Sequence, residues 1–174
     1  MKYRIKHFYG KEQGLYIQGY YFRSKWHSLK WINGQPYKHR VETIILNNLD
    51  MMYASFTTED FYKLPGGHIE KGTSKLQQAI NECREEARID VTKMKYAGSY
   101  IDQVIDRDSF YHQVHVVGQF VEVFIGLYES DYTGIVFSHE VDTGVYDSGK
   151  FHLIDDIYNK LTDHHKTFIN LIKA

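Results

Sequence analysis

Glu82, Glu85 and Glu86 stand within five residues of one another in the stretch 64–91, LPGGHIEKGTSKLQQAINECREEARIDV. On a helix of about 3.6 residues per turn, positions i, i+3 and i+4 share one face, so the three carboxylates converge. Like charges held that close repel unless a cation sits among them, and hard carboxylate oxygens suit a divalent ion. The preceding loop, Gly66-Gly67-His68-Ile69-Glu70-Lys71-Gly72, lets the main chain approach a ligand closely and brings backbone amides to a helix start, where anions such as phosphate are favoured. A phosphate and its metal can meet there, with Gly66, Gly67 and His68 on the phosphate side.

The helix that positions the acids has its own signals. Ser74 followed by Gln77 has capping-box spacing and predicts a start near residue 74. Leu76, Ala79, Ile80, Cys83 and Ala87 recur at the interval of a buried stripe, with the glutamates outside it. Alone, an ExxEE with Arg84 and Arg88 beside it also describes a solvated charged helix face. The ordered succession of Leu-Pro-Gly-Gly, a second glycine turn and the acidic helix favours the site.

This segment resembles the signature of the Nudix hydrolase family, G-x5-E-x7-R-E-U-x-E-E-x-G-U, with U a bulky apolar residue. Gly67 falls on the first glycine, Glu82 on the glutamate after the arginine, Cys83 and Ile89 on apolar positions, and Glu85 and Glu86 on the paired glutamates. Thr73 stands where the family has its first glutamate, Asn81 where it has arginine and Arg88 where it has glycine. The resemblance implies that Glu82, Glu85 and Glu86 bind Mg²⁺ or Mn²⁺. Thr73 leaves a hydroxyl in place of a charge, and Asn81 lacks the charged fork with which the arginine orients its neighbouring glutamate.

Outside the signature, 41–46 and 51–56 read as strands joined by Asn47-Asn48-Leu49-Asp50. Residues 96–105 and 111–128 are rich in β-branched and aromatic side chains, with a turn at 106–109, and read as a second hairpin. Ile154, Ile157, Leu161, Phe168, Ile169 and Ile172 have helical spacing interrupted around 162–165, which suits one long helix or two shorter ones. Together with the resemblance these imply an α/β fold, a Nudix-like α/β/α sandwich with a mixed sheet. The family often recruits a further acid after the central strands as metal ligand or base. Glu140, ahead of the strand-like 150–155, is the first candidate here, and Glu122, inside a strand-like run, is the second.

A length of 174 residues, ordinary hydrophobic content and only two prolines leave no linker, so one domain over 1–174 is expected. No apolar run approaches the roughly 20 residues that span a bilayer, and the N-terminus lacks a signal-peptide core, so a cytoplasmic location without membrane contact is expected. The one cysteine, Cys83, has no disulfide partner within the chain and reads as a small buried hydrophobe. Ten histidines show no metal-ligand spacing; His164 and His165 are adjacent on a helix and read as solvated or capping residues. Charge is uneven: residues 1–40 hold nine Lys or Arg against the single acid Glu12, a net +8, while 41–174 carry a net −9. Ten aromatics share those first forty residues, a basic, aromatic-rich N-terminal extension of the same domain. It suits packing on the core, one wall of a substrate pocket, or a grip on RNA.

The resemblance implies an enzyme: Mg²⁺- or Mn²⁺-dependent hydrolysis of a diphosphate linkage in a nucleoside diphosphate derivative. Glu86 or Glu140 would be the proton acceptor. Two alternatives stand beside it. One is a Nudix-fold nucleotide-binding or regulatory module with impaired turnover, suggested by the three departures; the other is an RNA 5′ pyrophosphohydrolase, suggested by the basic extension. A nucleotide-type small molecule is the expected partner, and homodimerisation is common in the family.

Overall fold

In a computed structural model, described over residues 15–17, 20–22, 27–57, 60–103, 110–111, 114–131, 135–137 and 145–173, the chain is built on a large mixed sheet. Its strands are β3 (Leu29–Ile32), β4 (Gln35–Leu46), β5 (Met52–Thr57), β6 (Tyr62–Lys63), β7 (Gly66–His68), β8 (Lys93–Gln103), β11 (Gly118–Leu127), β12 (Ile135–Phe137) and β13 (Val145–His152). Two short ribbons lie outside it, β1 (Leu15–Ile17) with β2 (Tyr20–Phe22) and β9 (Phe110–Tyr111) with β10 (Val114–His115). The helices are α1 (Lys75–Ala87), α2 (Ile154–Ile157) and α3 (Asp163–Lys173), with a 3-10 turn at Tyr158–Lys160.

The main path of the sheet runs β12-β13-β5-β4-β11-β8, with β4 and β11 parallel and the other pairs antiparallel. Parallel neighbours are buried on both faces, and β4 carries the continuous run Val41-Glu42-Thr43-Ile44-Ile45-Leu46, all buried. Its side chains alternate between faces. Ile44 and Leu46 join Val121, Val123, Phe168 and Ile169 under α3, whereas Val41 and Ile45 face Ala79, Cys83 and Ala87 of α1. The expected α/β/α sandwich is therefore present.

The predicted 41–46 and 51–56 hairpin forms, its turn fixed by Asn47, whose side-chain oxygen accepts from the Leu49 and Met51 amides at 3.0 Å each. β8 and β11 pair antiparallel as expected, but the predicted strand 111–128 is divided: its start belongs to the short β9–β10 ribbon and β11 begins at Gly118, while the predicted turn at 106–109 lies outside the described residues. The closing segment makes two helices: Thr162, whose hydroxyl accepts from the His165 amide at 3.2 Å, starts the second.

One irregularity decides where the glycine loop goes. β4 and β5 pair at Leu46 and Met52 and then diverge. Into the fork come β6, pairing β5 at Ser55 and Phe56, and β7, pairing β4 from Arg40 to Glu42. The Thr43 amide donates to the Pro65 carbonyl at 2.9 Å, and Ile69 to His39 at 2.9 Å, so residues 65–69 are stitched into the sheet.

Candidate active site

The acidic helix begins where the sequence predicts it. Ser74 is the N-cap and its hydroxyl accepts from the Gln77 amide at 3.1 Å. The capping box is only half made, because the Gln77 side chain turns to Asn81 Oδ1 at 2.8 Å. At the far end, Arg88 occupies the left-handed conformation with φ 55°, and the Arg88 and Ile89 amides close on the Arg84 and Cys83 carbonyls at 3.0 and 3.1 Å. The chain thus makes a glycine-type helix stop without glycine.

The buried face of α1 departs from the predicted stripe. Ala79, Cys83 and Ala87 are buried, but Leu76 is 44 % exposed, and Gln78 and Glu82 are buried instead. The reason is the glycine loop, which folds over that side of the helix. Gln78 takes the Glu70 amide on its oxygen at 3.1 Å and donates its nitrogen to Glu82 Oε1 at 2.9 Å, so both polar side chains are satisfied in the interior.

The two loop glycines are required for different contacts. A Cβ on Gly66 would lie 2.4 Å from the Val41 carbonyl oxygen, against the neighbouring strand. One on Gly67 would lie 2.4 Å from Glu82 Oε1 and 2.6 Å from its Cδ, so this carboxylate rests directly on the loop backbone. Glu86 Oε2 accepts from the Gly66 amide at 3.0 Å. Glu82 and Glu86 are therefore seated on consecutive loop residues, while Glu85 is exposed on the outer side of the helix. Among the described residues, no three His, Cys, Asp or Glu side chains form a group that encloses a metal ion. The donor chemistry nevertheless fits Mg²⁺ or Mn²⁺: hard carboxylate oxygens stand against loop glycines that leave no room for a side chain.

His68, the third residue assigned to the phosphate side, is half-buried and stacked on His27 at 5.1 Å and 13°. Glu140 lies outside the described residues. Glu122 is buried and points to the α1 side, where Lys75 Nζ is 3.0 Å and His39 Nε2 2.7 Å from its two oxygens, with the Tyr96 hydroxyl at 3.3 Å. Burial raises the Glu122 pKa, but the bonds from Lys75 and His39 outweigh it and hold the carboxyl below its usual range. Burial lowers His39 in turn. Glu122 is thus the anchor of a charge cluster at the start of α1.

The adjacent histidines of α3 are neither solvated nor caps. His164 stacks on Tyr100 at 4.2 Å and 15°, and His165 is buried, its Nε2 bonded to Glu42 Oε2. The Tyr100 hydroxyl completes the cluster on Glu42 Oε1 at 2.8 Å. Helical spacing predicted an apolar stripe through Phe168 and Ile169, and His165 shares it because β4 offers a carboxylate at that point. Burial works against the Glu42 charge, yet His165, Arg40 and Tyr100 hold its pKa below the usual value.

Cys83 is buried as expected, and burial pushes its thiol up to about 12, which makes it inert as a nucleophile. Tyr53, beneath the same helix, is likewise pushed up to about 12 by burial and stays a neutral phenol. Gln78 was not singled out from the sequence. Its signal was a polar residue four positions before Glu82, flanking the apolar positions Ala79 and Cys83.

No protein-family model and no curated protein sequence matches the chain. Solved structures do. The E. coli dihydroneopterin triphosphate pyrophosphohydrolase superposes with a TM-score of 0.61 at 15 % identity, over 79 % of this chain and 99 % of that one. The Nudix domain of Shewanella oneidensis NrtR, complexed with ADP ribose, gives 0.57 at 13 % identity, over 79 % and 87 %. A C. elegans Ap4A hydrolase gives 0.57 at 13 %, over 78 % and 95 %. The chain has the Nudix fold. The described helices include none long and apolar enough to cross a membrane.

Proposed function

We propose that the chain is a Nudix-type pyrophosphohydrolase, dependent on Mg²⁺ or Mn²⁺, that cleaves a diphosphate linkage in a nucleoside diphosphate derivative. The observation that carries this reading is the seating of Glu82 and Glu86 on Gly67 and Gly66. Glu82 and Glu86, joined by Glu85 from the outer side, would hold the cation, which when bound neutralises the diphosphate and acidifies the attacking water. Gly66, Gly67 and His68 would line the phosphate side, and Glu86 or Glu140 would take the proton. The ligands in the names of the three structural neighbours, dihydroneopterin triphosphate, ADP ribose and Ap4A, all contain linked phosphates, which supports the same substrate chemistry.

The test is turnover of ADP-ribose, dinucleoside polyphosphates, nucleotide sugars and nucleoside triphosphates with Mg²⁺ or Mn²⁺, before and after Glu86→Gln. Removing the charge should lower the rate by at least about a hundredfold. An unchanged rate in Glu86→Gln refutes the mechanism.

A second reading, a nucleotide-binding or regulatory module without turnover, is favoured by Asn81, whose Oδ1 accepts from Gln77. Thr73→Glu with Asn81→Arg separates the two: activity gained by a silent parent supports the module, and an active parent refutes it. An RNA substrate rests on the basic N-terminal segment alone, half of which lies outside the described residues.

A further inference from the structure

We infer that Gln78 is a positioning residue of this site: it fixes the Glu82 carboxylate through one end of its amide and the glycine loop through the other. The inference rests on the hydrolase reading above and adds to it the residue that holds one of its acids still.

The side chain is 4 % exposed and both ends are used. Its nitrogen donates to Glu82 Oε1 at 2.9 Å, one helical turn along the same face. Its oxygen accepts from the Glu70 amide at 3.1 Å, on the loop that runs back from Gly67. Glu82 is 7 % exposed and meets the loop backbone at Gly67, so its carboxylate is confined by the glycine on one side and the amide on another. A carboxylate that must serve a cation in a fixed place benefits from an outer donor that selects one orientation. Asn81, adjacent in sequence, is engaged with Gln77, leaving Gln78 as the amide directed at Glu82. The bond spans i to i+4 within one helix, so it survives small movements of helix against sheet. Its second end transmits the position of the loop to the acid.

The experiment compares wild type with Gln78→Ala, Gln78→Leu and Gln78→Leu/Asn81→Arg. Mn²⁺ binding is titrated by the electron paramagnetic resonance signal of the free ion, well below each variant's melting temperature, and kcat and KM are measured on whichever diphosphate substrate wild type turns over. Loss of an outer partner of a metal-binding side chain costs about tenfold or more in affinity, and that loss is expected in both single variants. kcat should fall more than KM rises. A guanidinium at position 81, adjacent to Glu82, should restore Mn²⁺ affinity to within about threefold of wild type by supplying a new donor. Single variants with wild-type Mn²⁺ affinity overturn the inference, as does a loss that Asn81→Arg leaves untouched, which would assign Gln78 to packing. If neither single variant folds, the side chain is structural and the inference also falls. A wild type that binds no Mn²⁺ and hydrolyses nothing overturns the hydrolase reading itself, an outcome distinct from an active wild type indifferent to Gln78.

Discussion

Gly67→Ala isolates the contact on which the site is built. The backbone at 67 is outside the left-handed region, so alanine meets no conformational barrier and would gain about 0.4–1 kcal/mol from a stiffer unfolded chain. Against that, its Cβ would sit 2.4 Å from Glu82 Oε1 and 2.8 Å from Oε2, distances no real contact tolerates. The main chain of 66–68 is paired to β4 and cannot retreat, so the carboxylate must swing away. That breaks the buried bond from Gln78 and leaves a donor unsatisfied, a cost of about 1–3 kcal/mol. The net loss of about 0–2.5 kcal/mol corresponds to a fall in melting temperature of at most about 10 °C for a chain of this size. The decisive assay is a double-mutant cycle with Glu82→Ala, read by urea denaturation. With the carboxylate removed the new methyl has room, so in that background Gly67→Ala should keep only the gain of about 0.4–1 kcal/mol, a coupling of about 1–3 kcal/mol. Equal destabilisation in both backgrounds would refute the argument that Gly67 is glycine because of Glu82.

Arg88→Gly should stabilise the fold by about 1 kcal/mol, raising the melting temperature by about 2–4 °C, because the left-handed φ of 55° penalises a side chain that glycine lacks; a lower melting temperature would mean that Arg88 contributes more than its backbone costs. Acid should lower the stability of the chain over two pH ranges. His39 is held below 6.5 by burial, so the unfolded chain protonates first and stability begins to fall as pH drops through that value. Glu42 and Glu122 are held below 4.5, so what they contribute is present above that pH and is lost as pH falls below it. Urea midpoints measured from about pH 7.5 to about pH 3.5 check this, and a midpoint that stays flat or rises on acidification contradicts it.

Where local chemistry decides structure, the sequence was informative. Ser74 and Gln77 located the helix start, Asn47 to Asp50 the hairpin, and the glycine-to-glutamate spacing the fold. The face of α1 was read less well, because periodicity sees only apolar residues. Gln78 and Glu82 are buried with a hydrogen bond to each other and one from the loop's Glu70 amide to Gln78, and apolar periodicity reveals neither. His165 escaped for the same reason: its partner Glu42 lies 123 positions away, and no spacing rule connects a helix histidine to a strand carboxylate. Glu122 was visible as an acid in a strand, but its role depended on Lys75 and His39, which only the parallel pairing of β4 with β11 and the packing of α1 bring to it.

The fork between β4 and β5 has a consequence for motion. A phosphate-binding loop that hangs from a sheet can open by itself, with small local free energy. Here residues 65–69 are strands in all but length, their amides and carbonyls bonded to Thr43, His39 and Ser28. The loop belongs to the same cooperative unit as the core and opens only when the sheet parts. Its backbone is rigid before any ligand arrives, so adaptation to a ligand is left to elements outside the fork.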